Sequence, residues 1–174
     1  MLPDHILTED SNSGYQFFCK IAESRKIQCS FANGNSNLLS AVKTMENKTV
    51  LVISDGAAFG PYMEMMSDYQ RQSQNRILLY VPESFEWIIL SSGLIPDSEI
   101  EKILAAPYDY IDSSQFFSWE NYFTALLVEK TKDSYLRYSK SVLNDAYLQE
   151  HKKLAILSVL PDVISEFFKG PGRK

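Results

Sequence analysis

The segment at residues 49–60, TVLVISDGAAFG, constrains the fold more than any other part of the chain. It contains a continuous apolar run, Val50 to Ile53 preceded by Thr49, which stops at Ser54. A β-branched run of this length is typical of a strand buried on both faces, in the middle of a parallel sheet. Ligands of open parallel sheets bind beyond the carboxyl ends of the strands, so Asp55 lies where functional chemistry is expected.

The rest of the chain alternates predicted strands with predicted helices. Further strands are predicted at residues 5–8, 27–32 and 76–81, with a fifth, edge strand at 108–111, and apolar residues at helical spacing lie between them. This order predicts a three-layer α/β fold with a mainly parallel sheet of four to five strands. From Ser118 onward the pattern is helical, including stretches around 135–143 and 145–168, the latter bent or split at Pro161. We expect one structural domain in which an α/β part, residues 1–115, carries a helical extension, residues 116–174.

Composition favours a cytoplasmic protein. No apolar run approaches the roughly 18 residues needed to span a bilayer, and the first residues, MLPDHILTED, lack the basic start and apolar stretch of a signal peptide. We therefore expect no membrane partner. Cys19 and Cys29 fall on a predicted helix and a predicted strand without a CxxC motif, which favours two buried thiols over a disulfide or a metal site.

The net charge of −5 is divided unevenly along the chain. Residues 1–129 contain 8 Lys and Arg against 17 Asp and Glu, whereas residues 130–174 contain 9 against 5. A basic segment interleaved with tyrosines can follow a phosphate backbone and stack on bases, although charged helix faces are often merely solvated. The residues predicted to contact nucleic acid are Lys130, Lys132, Arg137, Lys140, Lys152 and Lys153.

Acidic residues follow three of the predicted parallel strands. Glu9 and Asp10 follow the first, Asp55 the third, and Glu83 and Glu86 the fourth. If these strands are neighbours, the carboxylates converge at one edge, where a hard cation such as Mg²⁺ would find oxygen ligands. Alternatively, these side chains cap strand ends and helices by accepting backbone N–H groups.

The loop Asn33-Gly34-Asn35-Ser36 leads from the second strand into a helix and is a candidate anion site, because helix N-termini carry unpaired amides. A simple turn is the alternative interpretation. Walker and GxGxxG motifs are absent, and His5 and His151 lie too far apart in sequence to indicate a catalytic triad.

Three segments resemble the TOPRIM domain of topoisomerases, primases and OLD-type nucleases. HILTED supplies the glutamate after the first strand (Glu9), ANGNSN resembles the glycine-containing turn, and VLVISDGA supplies the first aspartate of the Asp-x-Asp pair (Asp55). The resemblance covers about residues 5–90 and implies a four-stranded parallel sheet, with Glu9 and Asp55 as catalytic, Mg²⁺-binding residues of phosphodiester chemistry. Ala57 replaces the second aspartate, so the resemblance implies a catalytically degenerate member; Glu83 and Glu86 are candidate substitutes.

The same residues also resemble response-regulator receiver domains. Glu9-Asp10 corresponds to their acidic pair, Asp55 to the phosphorylated aspartate and Ser84 to the Ser/Thr after the fourth strand, but YDYIDSS lacks the lysine expected after the fifth strand. The chain is also similar to small bacterial proteins with the segments EDS, DGAAFG and PESFEW, which implies no particular activity. We therefore expect a TOPRIM-like domain that binds a divalent cation and nucleic acid. The alternative is a non-catalytic regulatory or protein-interaction module.

Overall fold

A computed structural model describes residues 2–45, 47–54, 62–73, 76–106 and 119–168. The described residues form four strands, β1 (His5–Thr8), β2 (Gln28–Phe31), β3 (Thr49–Ile53) and β4 (Arg76–Tyr80). The α-helices in this part of the chain are α1 (Ser13–Glu23), α2 (Leu38–Lys43), α3 (Met63–Gln72), α4 (Phe85–Ser91), α5 (Ser98–Ala105), α6 (Trp119–Thr131), α7 (Glu150–Leu157) and α8 (Asp162–Ser165). Short 3₁₀ helices occupy Asn35–Asn37, Asp145–Leu148 and Glu166–Phe168.

The strands form one parallel sheet in the order β2-β1-β3-β4. Thr8 pairs with Phe31 on one side and with Ile53 on the other, and Ile53 pairs with Tyr80. The carboxyl ends of all four strands therefore meet at one edge. Val50 to Ile53 are buried, as predicted for a central strand.

Helices cover both faces of the sheet. Alternate residues of a strand point to opposite faces, so apolar strand residues pack against helices on each side. On one face, Ile6, Leu51 and Ile53 join a large apolar cluster with residues of α1, α4, α5 and the helices from α6 onward. On the other face, Leu7, Val50, Val52 and Ile77 pack with residues of α2 and α3. The three-layer α/β fold with a helical C-terminal part is confirmed.

The helix predicted around residues 135–143 is wrong. Residues 132–144 form an irregular segment in which Leu136, Tyr138 and Leu143 are buried. Its backbone is held by α1: the Ser13 amide donates to Lys140 O at 2.8 Å, and the Gln16 side chain bonds both Ser141 O and Leu143 N. These long-range bonds satisfy groups that a helix would pair internally.

The split at Pro161 is confirmed, because α7 and α8 lie on either side of it. The predicted strand at 108–111 and the predicted boundary near residue 115 lie outside the described residues. None of the helices in the described ranges has the length and hydropathy needed to cross a bilayer.

Candidate functional site

A cleft opens at the carboxyl ends of β1, β3 and β4. The chain leaves β1 for β2 on one side and later returns to β3 on the other, so the strand order reverses between β1 and β3. The carboxyl ends of the strands beside such a switch point are the usual ligand position in open α/β sheets. The cleft lies there on the face of the sheet that α1 and α4 cover. The empty space of the cleft is about 480 Å³, a volume that includes the solvent at its open mouth.

The cleft combines an apolar wall with a set of polar side chains. Its apolar residues come from strand ends, α1 and α4, and are Phe18, Ile53, Pro82, Phe85 and Ile88. Its polar residues are Thr8, Glu9, Asp10, Asn12, Tyr15, Ser54, Glu86 and Lys140. A concavity in which polar groups converge beside an apolar wall is typical of a ligand site.

Glu9 and Ser54 meet at the ends of β1 and β3. Glu9 Oε2 lies 3.5 Å from Ser54 Oγ, which in turn donates a hydrogen bond to Asn35 Oδ1 at 2.5 Å. Thr8 and Ile53, the last residues of β1 and β3, pair with each other. Glu9 and Ser54 directly follow these two residues, which explains why their side chains meet. Asp55 follows Ser54 directly in the sequence but lies outside the described residues.

The predicted anion loop reaches the same edge of the sheet. Asn33 and Gly34 have φ angles of 59° and 117°, and glycine adopts such positive angles without strain. The Gly34 amide donates to Glu9 O at 2.7 Å, and Asn37 Nδ2 donates to Asn33 O. Asn35 contacts Ser54, and Ser36 is exposed. The Gly34 amide, one of the donors that an anion would need in this loop, already donates to Glu9 O.

Asp10 lines the cleft but also caps the following turn, since its Oδ1 accepts a hydrogen bond from the Asn12 amide at 2.9 Å. Glu83 is exposed and is not among the residues that line the cleft. Within the described ranges there is no group of three or more His, Cys, Asp or Glu side chains suited to a metal ion. Of the predicted metal ligands that lie in the described ranges, Glu9 and Asp10 line the cleft and Glu83 does not.

Glu86 is a buried carboxylate in the wall of the cleft, with only 3 % of its surface exposed. Thr124 Oγ1 donates to its Oε1 at 2.9 Å, and the Tyr138 hydroxyl donates to its Oε2. Burial and then the Glu86 charge raise the pKa of Tyr138 far above its usual range, so the phenol remains a donor. Glu86 is therefore a structural anchor, because its two hydrogen bonds join α4 to α6 and to the 132–144 segment.

Lys140, which is more than 120 positions after the cleft residues of α1 and β1 in the sequence, is among the residues that line the cleft. Its position depends on the 132–144 segment, in which the Ser13 amide bonds Lys140 O and Ser13 Oγ bonds Ser139 O. The sequence pattern places Lys140 on a predicted nucleic-acid surface and gives no link between Lys140 and Glu9. No local sequence signal indicates that Lys140 lines the same cleft as Glu9, whereas Ser54 could have been proposed from its position at the end of β3.

Most of the other predicted nucleic-acid contacts have local partners. Lys130 pairs with Asp97 and Glu99 at 3.1 and 3.3 Å, Lys132 with Glu129 at 2.9 Å, and Lys153 with Glu150 at 3.1 Å. The hydrogen bond to Asp97, followed by that to Glu99, raises the pKa of Lys130. Lys152 Nζ lies 5.1 Å from the centroid of the Tyr135 ring, and Arg137 is exposed. These pairs neutralise much of the positive charge that the sequence suggested.

Comparison with protein-family models, with curated proteins and with solved structures finds no match for this chain. The cleft must therefore be interpreted from its own chemistry.

Proposed function

We propose that the cleft binds a divalent cation together with a phosphate-containing ligand, in a TOPRIM-like domain that has lost catalysis. The observation that carries this proposal is the 3.5 Å contact between Glu9 Oε2 and Ser54 Oγ at the switch point of the sheet. It supports the expected convergence of Glu9 with the segment that contains Asp55.

The cation is Mg²⁺ in this proposal. Magnesium usually keeps several waters and takes only one or two protein carboxylates, with phosphate oxygens completing its octahedron. Glu9 and Asp55 would supply those carboxylates, with Asp10 beside them. Ala57 stands where the second aspartate of the TOPRIM pair is expected, so we propose binding without phosphodiester cleavage.

The phosphate would be held through Lys140, which lines the same cleft. A lysine ammonium is a compact point charge and a common partner of phosphate. The acid-paired Lys130, Lys132 and Lys153 favour a local contact at the cleft over an extended nucleic-acid track. We therefore propose that the ligand is a nucleic-acid end, with its terminal phosphate at the cation.

A short single-stranded oligonucleotide with a 5′ phosphate tests this function. Its fluorescence anisotropy should rise with protein concentration when Mg²⁺ is present, and removal of the 5′ phosphate should weaken binding. Displacement of the oligonucleotide by a nucleoside 5′-monophosphate, but not by the same nucleoside without phosphate, would show that the phosphate is the recognised group. Binding that ignores both Mg²⁺ and the 5′ phosphate would refute the proposal.

A regulatory module with a receiver-like fold is the second candidate. It is favoured by Lys140, which supplies the cleft with the lysine that YDYIDSS lacks. Against it, Ser84 is fully buried and its Oγ accepts a hydrogen bond from the Trp87 amide, so this hydroxyl serves as a helix cap. Incubation with acetyl phosphate and Mg²⁺ separates the candidates: a phosphoryl adduct that Asp55→Asn abolishes would favour the regulatory module.

A further inference from the structure

Cys19 on α1 and Cys29 on β2 are both free and both partly exposed, so the prediction of two buried thiols is only partly met. Cys29 packs at the border of the large apolar cluster on the α1 side of the sheet. Cys19 lies in the wall of a surface pocket, together with Tyr15, Gln16, Lys20, Leu143 and Asp145. One thiol therefore faces the interior beneath α1, and the other is open to small molecules.

A ring contact fixes how α1 lies on β2. The Tyr15 and Phe31 rings meet edge to face, with their centroids 5.3 Å apart. Cys19 is one helical turn after Tyr15, about 6 Å along α1. Cys29 is two residues before Phe31, about 6.6 Å back along β2 and on the same face of the strand.

These two offsets bring the cysteines together. β1 and β2 are parallel, so α1, which connects them, runs back in the opposite direction. A step forward along α1 and a step backward along β2 therefore lead the same way. Cys19 thus lies over Cys29, just as Tyr15 lies over Phe31.

We propose that Cys19 and Cys29 form a dithiol site that reacts with small disulfides and closes to an intramolecular Cys19–Cys29 disulfide. The Cys19 thiolate attacks one sulfur of the small disulfide, which forms a mixed disulfide and releases one thiol. The Cys29 thiolate then attacks the Cys19 sulfur and releases the second thiol. Two protein thiols are oxidised and one small disulfide is reduced to two thiols, so atoms and electrons balance.

The order of the two steps follows from the surroundings of each sulfur. Cys19 is reached through the pocket, whereas burial and then the neighbouring Cys19 raise the pKa of Cys29 to about 12. Exchange requires a thiolate, and burial, the larger cause of the raised pKa, remains after Cys19 has formed the mixed disulfide, so the closing step by Cys29 is the slow one at neutral pH. Its rate should rise about tenfold per pH unit, in proportion to the thiolate fraction.

The test treats the reduced, folded protein with oxidised glutathione and follows intact mass and free thiols. We expect a transient glutathione adduct, then a species lighter than the reduced protein by two hydrogen atoms, with a peptide map linking residues 19 and 29. Cys29→Ser should stop at the adduct, and Cys19→Ser should react much more slowly.

The same reaction in urea is the control for chance encounter along the chain. The equilibrium constant for closing the disulfide should be about tenfold or more higher in the folded protein than in the unfolded chain, because folding holds the two thiols close together. Both thiols remaining free in the wild-type protein, disulfide-linked dimers only, or equal closure in urea would each overturn the proposal.

Discussion

The Tyr138 hydroxyl donates a hydrogen bond to the Glu86 carboxylate, although the two residues are 52 positions apart in the sequence. Both side chains are only 3 % exposed. Thr124 donates to the other carboxylate oxygen, so α4, α6 and the 132–144 segment meet at one buried acid. This anchor holds the segment that delivers Lys140 to the cleft.

Tyr138→Phe should lower the free energy of unfolding by about 1–3 kcal/mol, because the buried Glu86 would lose a donor while the ring remains. Urea unfolding followed by circular dichroism measures the change. Tyr135→Phe is the matched control, since Tyr135 is 65 % exposed, and we expect a change within about 0.5 kcal/mol. Equal effects of the two variants would contradict the anchoring role.

Ser84→Ala should lower the free energy of unfolding by about 1 kcal/mol, because the Trp87 amide loses the acceptor that caps α4. Ser84→Gly should cost only a few tenths of a kcal/mol for the cap itself. Ligand affinity at the cleft, measured by anisotropy, should stay unchanged in Ser84→Ala. A specific loss of phosphate binding with intact stability would instead assign Ser84 to the site.

His5 should make stability depend on pH. Its side chain is 8 % exposed, Nε2 bonds Ser30 Oγ, and Nδ1 makes no hydrogen bond within the described part of the chain. Burial and then the Lys48 charge lower the pKa of His5 below its usual 6.5. The unfolded chain therefore binds a proton more readily, so stability is fully present above pH 6.5 and falls as the pH drops toward the folded-state pKa.

The measurement compares the free energy of unfolding of wild type and His5→Gln at about pH 7.5 and about pH 5.5. Wild type should lose more stability between these values than the variant, which lacks the titrating group. The same loss in both proteins would exclude His5 as the cause.

The basic residues should contribute unequally to oligonucleotide binding. Lys140→Gln should weaken binding and reduce the salt slope of log K by about 1, because one phosphate contact is lost. Lys132→Gln and Lys153→Gln should have little effect, since Glu129 and Glu150 already compensate these charges. Anisotropy titrations at several salt concentrations give the slopes. A loss spread evenly over the three variants would favour the extended surface predicted from the sequence.

Features that depend on local physics were predictable from the sequence. The apolar run at residues 50–53 predicts the strand β3, because such a run can be buried on both faces. Asp97 precedes a helical pattern and caps α5 by accepting hydrogen bonds from the amides of Glu99 and Ile100. The prediction of a helix around residues 135–143 is wrong. Tyr135 and Val142, which fit the apolar stripe of that helix, are 65 % and 66 % exposed in the structure. The competing hydrogen bonds come from Ser13 and Gln16, more than 120 positions away.

The candidate site was only partly predictable for the same reason. Glu9 was expected at the edge of the sheet because strand ends in a parallel sheet align. Glu86 was grouped with it as a strand-end acid, but contacts with Thr124 and Tyr138 give it a structural role. The position of Lys140 at the cleft depends on hydrogen bonds from Ser13 to the 132–144 segment, and a local sequence pattern does not indicate such long-range bonds.

Titration of the protein with Mg²⁺ alone, followed by calorimetry and by amide NMR shifts, tests the central claim most directly. Glu9→Gln and Asp55→Asn should abolish saturable binding, whereas Glu83→Gln, which removes an equal charge from an exposed side chain outside the cleft, should retain it. The largest shifts should fall on the amides of residues 9, 10 and 54. Absence of saturable Mg²⁺ binding, or binding that survives both Glu9→Gln and Asp55→Asn, would contradict the account.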